Sequence, residues 1–223
     1  MGTAQIVHFS DVLCVWAYAA ERRMTELRDE FGSAIEIGYR FVSIFGVAQA
    51  KLEGRWREKG GMAAYGEHVR GVVAGFDHIR VHPEVWTRVA PSSSWPAHLA
   101  LCAVRLLERE GNAPPGSSMA LAWRLREAFF RDAHDISRQE VLLAAVEQQG
   151  LEPAAVAGHL ASGRAHAELA SDYEMARDQD IRLSPTILLN EGRQRLNGNV
   201  GYLVIAANVR EVLERPPGQQ SWC

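Results

Sequence analysis

The chain has 223 residues and a formal net charge of −3, with 47% apolar and 23% charged residues. This composition is typical of a globular protein with a real core, built as one large domain or as a domain with a sizeable insertion. The lack of a basic run argues against a nucleic-acid partner, and no apolar stretch approaches the roughly 18 residues that a membrane-spanning helix needs.

The beginning of the chain predicts a strand, a helix and a second strand. Residues 5–10 (QIVHFS) are rich in β-forming residues and favour a strand. Apolar positions at helical spacing predict a helix from about Trp16 to Glu30, and Gly32 is the residue that terminates it. Apolar and polar positions alternate in Ile35–Val42, which predicts the second strand. Such β-α-β units normally have a right-handed crossover, so we expect parallel strands.

The middle of the chain predicts helices only. Ser94 is a candidate N-cap, and Pro96 in the first turn marks a helix that runs to about Glu110. Residues 137–140 (SRQE) have the form of a capping box, and Gly150 closes the helix that follows. The other predicted helices cover residues 62–75, 118–131, 153–161 and 165–179.

Strand character returns near the end of the chain. Thr186–Asn190 predicts a strand, Arg195–Asn197 a short edge strand, and residues 201–213 a final helix. Because the two strand-bearing ends are too small to fold separately, we expect them to pair into one sheet. The sequence therefore predicts an α/β fold: a discontinuous sheet domain of residues 1–45 and 180–223, with a helical insertion of residues 46–179.

The chain has three widely spaced cysteines, Cys14, Cys102 and Cys223. An odd, dispersed set is not a disulfide framework, and the first residues do not resemble a signal peptide, so we expect a cytoplasmic protein. Cys102 is expected on the buried side of its helix, in the core of the protein. Cys223, at the end of the tail, is expected to have no role; the alternative is that it reaches Cys14 or another chain.

Cys14 lies where the first predicted strand passes into the first predicted helix. A helix N-terminus offers unpaired N–H groups and the positive end of the helix dipole. A thiolate there would be stabilised, so we expect a Cys14 pKa below the usual value of about 8.5 and a nucleophilic sulfur. The alternative is a small buried apolar residue, which is common for free cysteine.

Three segments carry a family resemblance. Residues 9–18 (FSDVLCVWAY) resemble the active-site stretch of DsbA-like proteins, in which F-x-D and two residues precede C-P-W-C-Y. Residues 184–186 (SPT) are similar to the cis-proline loop of that family, normally V-P-T. Residues 94–98 (SWPAH) resemble the start of the insertion helix in its FrnE-type and 2-hydroxychromene-2-carboxylate isomerase branches. The order of elements agrees over residues 5–213.

The resemblance implies a thioredoxin-like fold with a large helical insertion, and a role for each matching position. Cys14 is implied as the nucleophile and Pro185 as the cis-proline that faces it. The backbone beside that proline would pair with an extended peptide or with glutathione. Trp16 would be an exposed aromatic residue of the active-site turn, or alternatively a core residue. The residues that would contact a substrate or thiol are Asp11, Trp16, Ala17, His98, Ser184 and Thr186.

His98 and Ala17 differ from the other positions that the resemblance implies. His98 is a candidate polar group in the cleft between insertion and sheet, although helical histidines more often make a capping or core hydrogen bond. Ala17 occupies the place of the second, resolving cysteine of the family, and Val15 replaces the usual proline. With alanine there, Cys14 could form a mixed disulfide but could not resolve it locally.

This departure leaves several interpretations open. The first is a thiol-disulfide oxidoreductase that acts through a single cysteine (C-x-x-A) with an external thiol such as glutathione. The second is a glutathione-dependent isomerase or transferase, like the chromene carboxylate isomerases and the kappa-class transferases. The third is a non-catalytic binding module, and the fourth an engineered loss of the second cysteine.

Cofactors and partners follow from the same residues. No histidine, cysteine or carboxylate spacing is typical of a metal site, so we predict no metal and no tightly bound cofactor, with glutathione as a co-substrate. The expected partner is a small thiol or a protein thiol, with no nucleic acid and no membrane. The chain is expected to be a monomer or a homodimer.

Overall fold

A computed structural model describes residues 3–214 of the chain, and Cys223 lies outside these described residues. Four strands and nine α-helices are found within this part of the chain. In chain order they are β1 (Ala4–Ser10), α1 (Val15–Phe31), β2 (Ile35–Phe41), α2 (Ala48–Trp56), α3 (Gly61–Val73), α4 (Trp95–Arg109), α5 (Ser117–Phe130), α6 (Gln139–Gln148), α7 (Pro153–Ala161), α8 (Arg164–Asp178), β3 (Thr186–Leu189), β4 (Gln194–Asn197) and α9 (Tyr202–Glu214).

The two ends of the chain form one mixed sheet, in the order β2-β1-β3-β4. β1 and β2 are parallel, with Ala4 opposite Ile35 and Ser10 opposite Phe41. β3 is antiparallel to both β1 and β4, so β4 lies at an edge. The predicted α/β fold, the parallel opening unit and the pairing of the two ends are therefore confirmed.

In the described part of the chain, three apolar cores hold the helices on the sheet, and the smallest of them packs α8 against it. A second one packs α1 and α9 on one face of the sheet, through residues such as Ile6, Leu27 and Val209. The third, which we call the larger core, joins the helices of the middle of the chain to residues 12–15, the turn between β1 and α1. Side chains from distant parts of the sequence therefore pack against the turn that carries Cys14.

The sequence prediction missed α2 entirely. This helix buries only Ala48 and Leu52, contains Gly54, and has no side-chain hydrogen bond at its N-cap, Val47. A helix with one narrow apolar face and a glycine gives a weak periodic signal, because its stability comes from packing rather than from propensity.

Ser94 is the N-cap residue of α4, as predicted, but neither predicted capping hydroxyl bonds to its helix. The Ser94 hydroxyl donates to the Asp11 carboxylate (2.9 Å). In the predicted capping box, the Ser137 hydroxyl donates to Asp135 (2.6 Å), and α6 begins only at Gln139. In each case a nearby carboxylate orients the hydroxyl, and the hydroxyl oxygen accepts no N–H from the first turn of the helix.

The division into a sheet domain and an inserted helical domain stays a prediction. The helices α2–α8 do lie between β2 and β3 in the chain, but the larger core contains residues from both predicted parts. Within residues 3–214, none of the helices combines the length and apolar character that crossing a membrane would require.

Candidate active site around Cys14

Cys14 is the N-cap residue of α1. Its backbone is extended, its N–H donates to the Asp11 carbonyl (3.1 Å), and its own carbonyl accepts the Tyr18 N–H (3.1 Å). The four residues from Asp11 to Cys14 thus form a hydrogen-bonded turn that ends in the helix. This geometry places the sulfur beside the first turn of α1, as the sequence predicted.

The loop before β3 lies directly against this sulfur. The Ser184–Pro185 peptide bond is cis, and the Cys14 thiol donates to the Ser184 carbonyl, with Sγ and O 3.1 Å apart. The Asp11 N–H donates to the Ser184 hydroxyl oxygen (2.9 Å). Ser184 therefore makes two hydrogen bonds to the active-site turn, although it lies 170 or more positions from that turn in the chain.

The electrostatic environment of Cys14 is opposite to the one that the sequence predicted. Burial raises the pKa of the Cys14 thiol, and the Asp11 carboxylate adds to this effect, while the Ser184 side chain and the backbone of Ala17 and Trp16 lower it. The residue is only 7% exposed, so the thiolate would lose most of its hydration. The expected lowering of the Cys14 pKa is wrong because burial outweighs the helix N-terminus.

Asp11 is a structural carboxylate rather than a substrate contact. It is fully buried, and four donors converge on its two oxygens. The donors are the N–H groups of Leu13 (2.9 Å), Ile44 (2.9 Å) and Phe45 (2.8 Å) and the hydroxyl of Ser94 (2.9 Å). The carboxylate thereby ties the Cys14 turn to the loop after β2 and to the start of α4. The expected contact of Asp11 with a substrate is wrong because no face of the group is open.

His98 has a similar positioning role. It is fully buried, and its Nε2 accepts the Val12 N–H (3.1 Å), which leaves the ring proton on Nδ1 to donate to the Tyr173 hydroxyl (3.0 Å). Burial lowers the pKa of His98 to about 4, so the ring is neutral near pH 7. The His98 ring stacks on Phe41 and, through its bond to the Val12 N–H, fixes the position of the turn. It is therefore buried rather than exposed in the open cleft that the sequence suggested.

Three other candidate residues are less accessible than the sequence suggested. Ala17 is fully buried in the larger core. Thr186 is also fully buried, and its hydroxyl donates to the Leu183 carbonyl (2.9 Å). Trp16 is half-buried against the larger core rather than fully exposed. Of the proposed contact residues, Ser184 and Trp16 remain partly open to a substrate.

Sequence reasoning missed two polar residues that face this site. Burial lowers the pKa of Lys51, on α2, while the Asp11 carboxylate and, when it is ionised, the Cys14 thiolate favour the Lys51 ammonium. Its Nζ lies 4.5 Å from the ring centre of Phe45. Tyr65, on α3, is buried, and its pKa is raised by burial first and then by the same two acidic groups. The four-residue spacing of the apolar Ala48 and Leu52 was the one sequence signal that could have placed Lys51 on a helix.

Exposed apolar side chains adjoin residues that contact the same turn. Leu183 is 53% exposed and directly precedes Ser184, and Trp95 is 47% exposed and directly follows Ser94. Val47, at 68% exposure, adjoins Gly46, which lies against the Trp95 ring. Single exposed apolar residues are ordinary, but several beside one turn are typical of a binding surface.

The sequence and the fold both have known counterparts. The chain matches the DSBA-like thioredoxin domain family over residues 5–209. It is 23% identical over 222 residues to the ClpXP adapter protein SpxH of Halalkalibacterium halodurans, a match that covers 97% of this chain and 70% of that protein.

Among solved structures, the chain is similar to the cytosolic disulfide reductase DsbM of Pseudomonas aeruginosa, with a TM-score of 0.66, 19% identity, and coverage of 94% of this chain and 97% of that one. It is also similar to a 2-hydroxychromene-2-carboxylate isomerase, with a TM-score of 0.68, 14% identity, and coverage of 93% and 95%. At such identities the likeness establishes the fold and leaves the reaction open.

Proposed function

Since the chain belongs to the DSBA-like thioredoxin domain family, we propose that it is a thiol-disulfide oxidoreductase that acts through Cys14 alone. The observation that carries the proposal is the contact of the Cys14 sulfur, at the N-terminus of α1, with the residue before cis-Pro185. Ala17 fills the place of a second cysteine, so the resolving thiol must come from outside. We take that thiol to be glutathione.

The reaction needs two exchanges. Cys14 loses its proton to solvent, and the thiolate attacks one sulfur of a substrate disulfide. A bond forms between that sulfur and Cys14, the substrate S–S bond breaks, and the departing thiolate takes up a proton. The thiolate of glutathione then attacks the substrate sulfur of the mixed disulfide, forms a new disulfide with it, and releases the Cys14 thiolate.

Groups around the sulfur can stabilise the thiolate once it forms. The Ser184 hydroxyl oxygen accepts the Asp11 N–H, which leaves the hydroxyl proton to point at the sulfur. The backbone at Trp16 and Ala17 also favours the anion. A substrate disulfide that excludes water from the Cys14 sulfur would strengthen these hydrogen bonds.

The charge near Cys14 supports an anionic thiol such as glutathione. Within residues 3–214, no carboxylate lies within ion-pair distance of the Lys51 ammonium, so this cation can pair with a carboxylate of the tripeptide. In the same described part of the chain, no hydrogen bond uses the Ser184 N–H, which is therefore available to an extended peptide backbone. A reducing compartment, as expected from the cysteine content, would supply the reduced thiol.

The protonation state of Cys14 favours a second candidate function. Because burial raises the pKa of the thiol, Cys14 carries its proton near pH 7 and acts as a hydrogen-bond donor. Such a thiol could donate to the thiolate of a bound glutathione instead of attacking a disulfide. The protein would then be a glutathione-dependent isomerase or transferase, and Cys14→Ser would retain activity because serine also donates.

Mass spectrometry of the protein after incubation with oxidised glutathione tests the first proposal. We expect a glutathione adduct on the Cys14 peptide that reduced glutathione removes, scored separately from the Cys223 peptide. Cys102→Ser is the matched control and should behave like the wild type, since Cys102 is fully buried. An unmodified Cys14 from neutral to alkaline pH would contradict the exchange reaction and leave the isomerase or the binding module.

A further inference from the structure

A cavity lies on the flank of α1, away from Cys14. It has a volume of about 410 Å³ and lies between α1 and α5. Trp123 and Met119 of α5 form its apolar wall, while Glu21 and Arg28 of α1 lie on the opposite side. The volume falls within the usual range of small-molecule pockets.

The charges around this cavity do not cancel. Glu21 is the one carboxylate among the described residues that line the cavity, and the buried guanidinium of Arg126 pairs with it (3.0 Å). Among the described residues, the partners of Arg28 are neutral oxygens, the hydroxyls of Tyr39 (2.9 Å) and Thr25 (3.4 Å). Within residues 3–214, Arg28 has no carboxylate at ion-pair distance. The cavity therefore holds a guanidinium with no countercharge next to an apolar wall.

The other basic side chains that line this cavity already have partners. Arg22 pairs with Glu26 (3.3 Å) and with Asp77 (3.4 Å) at the surface. His78, which also lines the cavity, contacts the Ala19 carbonyl (3.1 Å) through Nε2. Arg28 is thus the group that would receive an anion.

Arg28 also borders an adjoining cavity of about 590 Å³ along the free edge of β2. That cavity is less suited to an anion. Its Arg105 is paired with Asp172 (2.9 Å), and it exposes Glu36 and Glu108 on its walls. The apolar wall and the lack of unpaired carboxylates favour the cavity beside Trp123.

We propose that this cavity binds a small organic anion with a flat apolar body. The carboxylate of the ligand pairs with the Arg28 guanidinium, and its body packs on Trp123 and Met119. Glu21 lies seven residues along α1 from Cys14, which is about 10 Å at the helical rise. The site is therefore separate from the sulfur, and its existence does not depend on the proposed function.

Calorimetric titration of the purified protein with 1-naphthoate, and with its neutral analogue 1-naphthamide, tests this site. We expect saturable binding of 1-naphthoate, weakened by about tenfold or more in Arg28→Gln. The amide should bind more weakly than the acid to the wild type and should be unaffected by Arg28→Gln. The matched control is Arg177→Gln, since Arg177 is an exposed arginine on α8.

Arg28 is exposed, so its replacement should leave the fold intact, and a circular dichroism melt checks this. Absence of 1-naphthoate binding to the wild type would overturn the proposal. Equal affinity in wild type and Arg28→Gln, or an equal loss in Arg177→Gln, would also overturn it.

Discussion

The reactivity of Cys14 is decided by a few groups in contact with its sulfur. Burial and the Asp11 carboxylate favour the thiol, whereas the Ser184 side chain and the start of α1 favour the thiolate. Since burial is the largest contribution, small changes in these contacts should move the thiol pKa further from neutrality or back toward it.

Replacing the Ser184 hydroxyl tests this balance. Ser184→Ala removes a donor to the thiolate but keeps the backbone carbonyl that accepts the thiol proton. We expect a higher Cys14 pKa and alkylation by iodoacetamide that is slower by about three- to tenfold at neutral pH. Peptide mass spectrometry across pH measures this, with Ser162→Ala at the end of α7 as control. Faster alkylation in Ser184→Ala would contradict the role given to the hydroxyl.

Restoring a second thiol tests the meaning of Ala17. Ala17→Cys creates a C-x-x-C sequence at the start of α1, where the new thiol can attack a mixed disulfide on Cys14. We expect an internal disulfide after treatment with oxidised glutathione, in place of the stable glutathione adduct of the wild type. Ala17→Ser is the matched control and should keep the adduct. An undiminished adduct in Ala17→Cys would show that position 17 cannot reach the sulfur.

At the scale of elements, Asp11 joins the active-site turn to two other segments. Its buried carboxylate accepts four hydrogen bonds from the turn, the loop after β2 and the start of α4. Removing the charge leaves several buried donors without a strong acceptor, which costs more than one ordinary hydrogen bond.

We therefore expect Asp11→Asn to lower the free energy of unfolding by about 2–4 kcal/mol. Urea denaturation followed by circular dichroism measures this change. Asp178→Asn, at the exposed end of α8, should stay within about 0.5 kcal/mol of the wild type. A similarly small effect of Asp11→Asn would mean that the carboxylate is not the link between these elements.

The elements also show which parts of the fold and site could be predicted from the sequence. β1, α1 and β2 were found because their periodic patterns and Gly32 are local signals. α2 was missed because its apolar face has only two buried residues, Ala48 and Leu52, and depends on packing against other helices. The partner of the Ser94 hydroxyl is Asp11, 83 positions away, so no local pattern could show that the hydroxyl does not cap α4.

The same limit applies to the candidate site. The position of Cys14 at a helix start is a local property and was predicted correctly. Its burial is a property of the larger core, to which helices from the middle of the chain contribute. The sequence could therefore place the sulfur but could not give the direction of its pKa shift, nor could it bring Lys51 to the site.

At the scale of the whole molecule, the packing of the helices on the sheet keeps His8 and His98 buried and neutral. Burial lowers the pKa of His98 to about 4 and that of His8 to about 3. Below pH 6.5 the unfolded chain takes up protons on these residues, while the folded protein does not until pH falls to the folded pKa. Each histidine thus supports the fold fully above pH 6.5 and less as pH falls toward 4 or 3.

This linkage predicts a pH-dependent stability. The His98 contribution should fall by about 2 kcal/mol between pH 7 and pH 5, and His98→Gln, which keeps an acceptor for the Val12 N–H, should remove that part of the dependence. Urea denaturation at several pH values measures it, with the exposed His166→Gln as control. An unchanged pH dependence in His98→Gln would place the titrating groups elsewhere.

The central claim is that one sulfur, without a second cysteine beside it, carries out disulfide exchange. The most direct test is the rate at which reduced glutathione releases a peptide from its mixed disulfide with glutathione, measured with wild type, Cys14→Ser and Cys102→Ser. We expect wild type and Cys102→Ser to accelerate the release equally, and Cys14→Ser to give only the uncatalysed rate. Full activity in Cys14→Ser would contradict the claim.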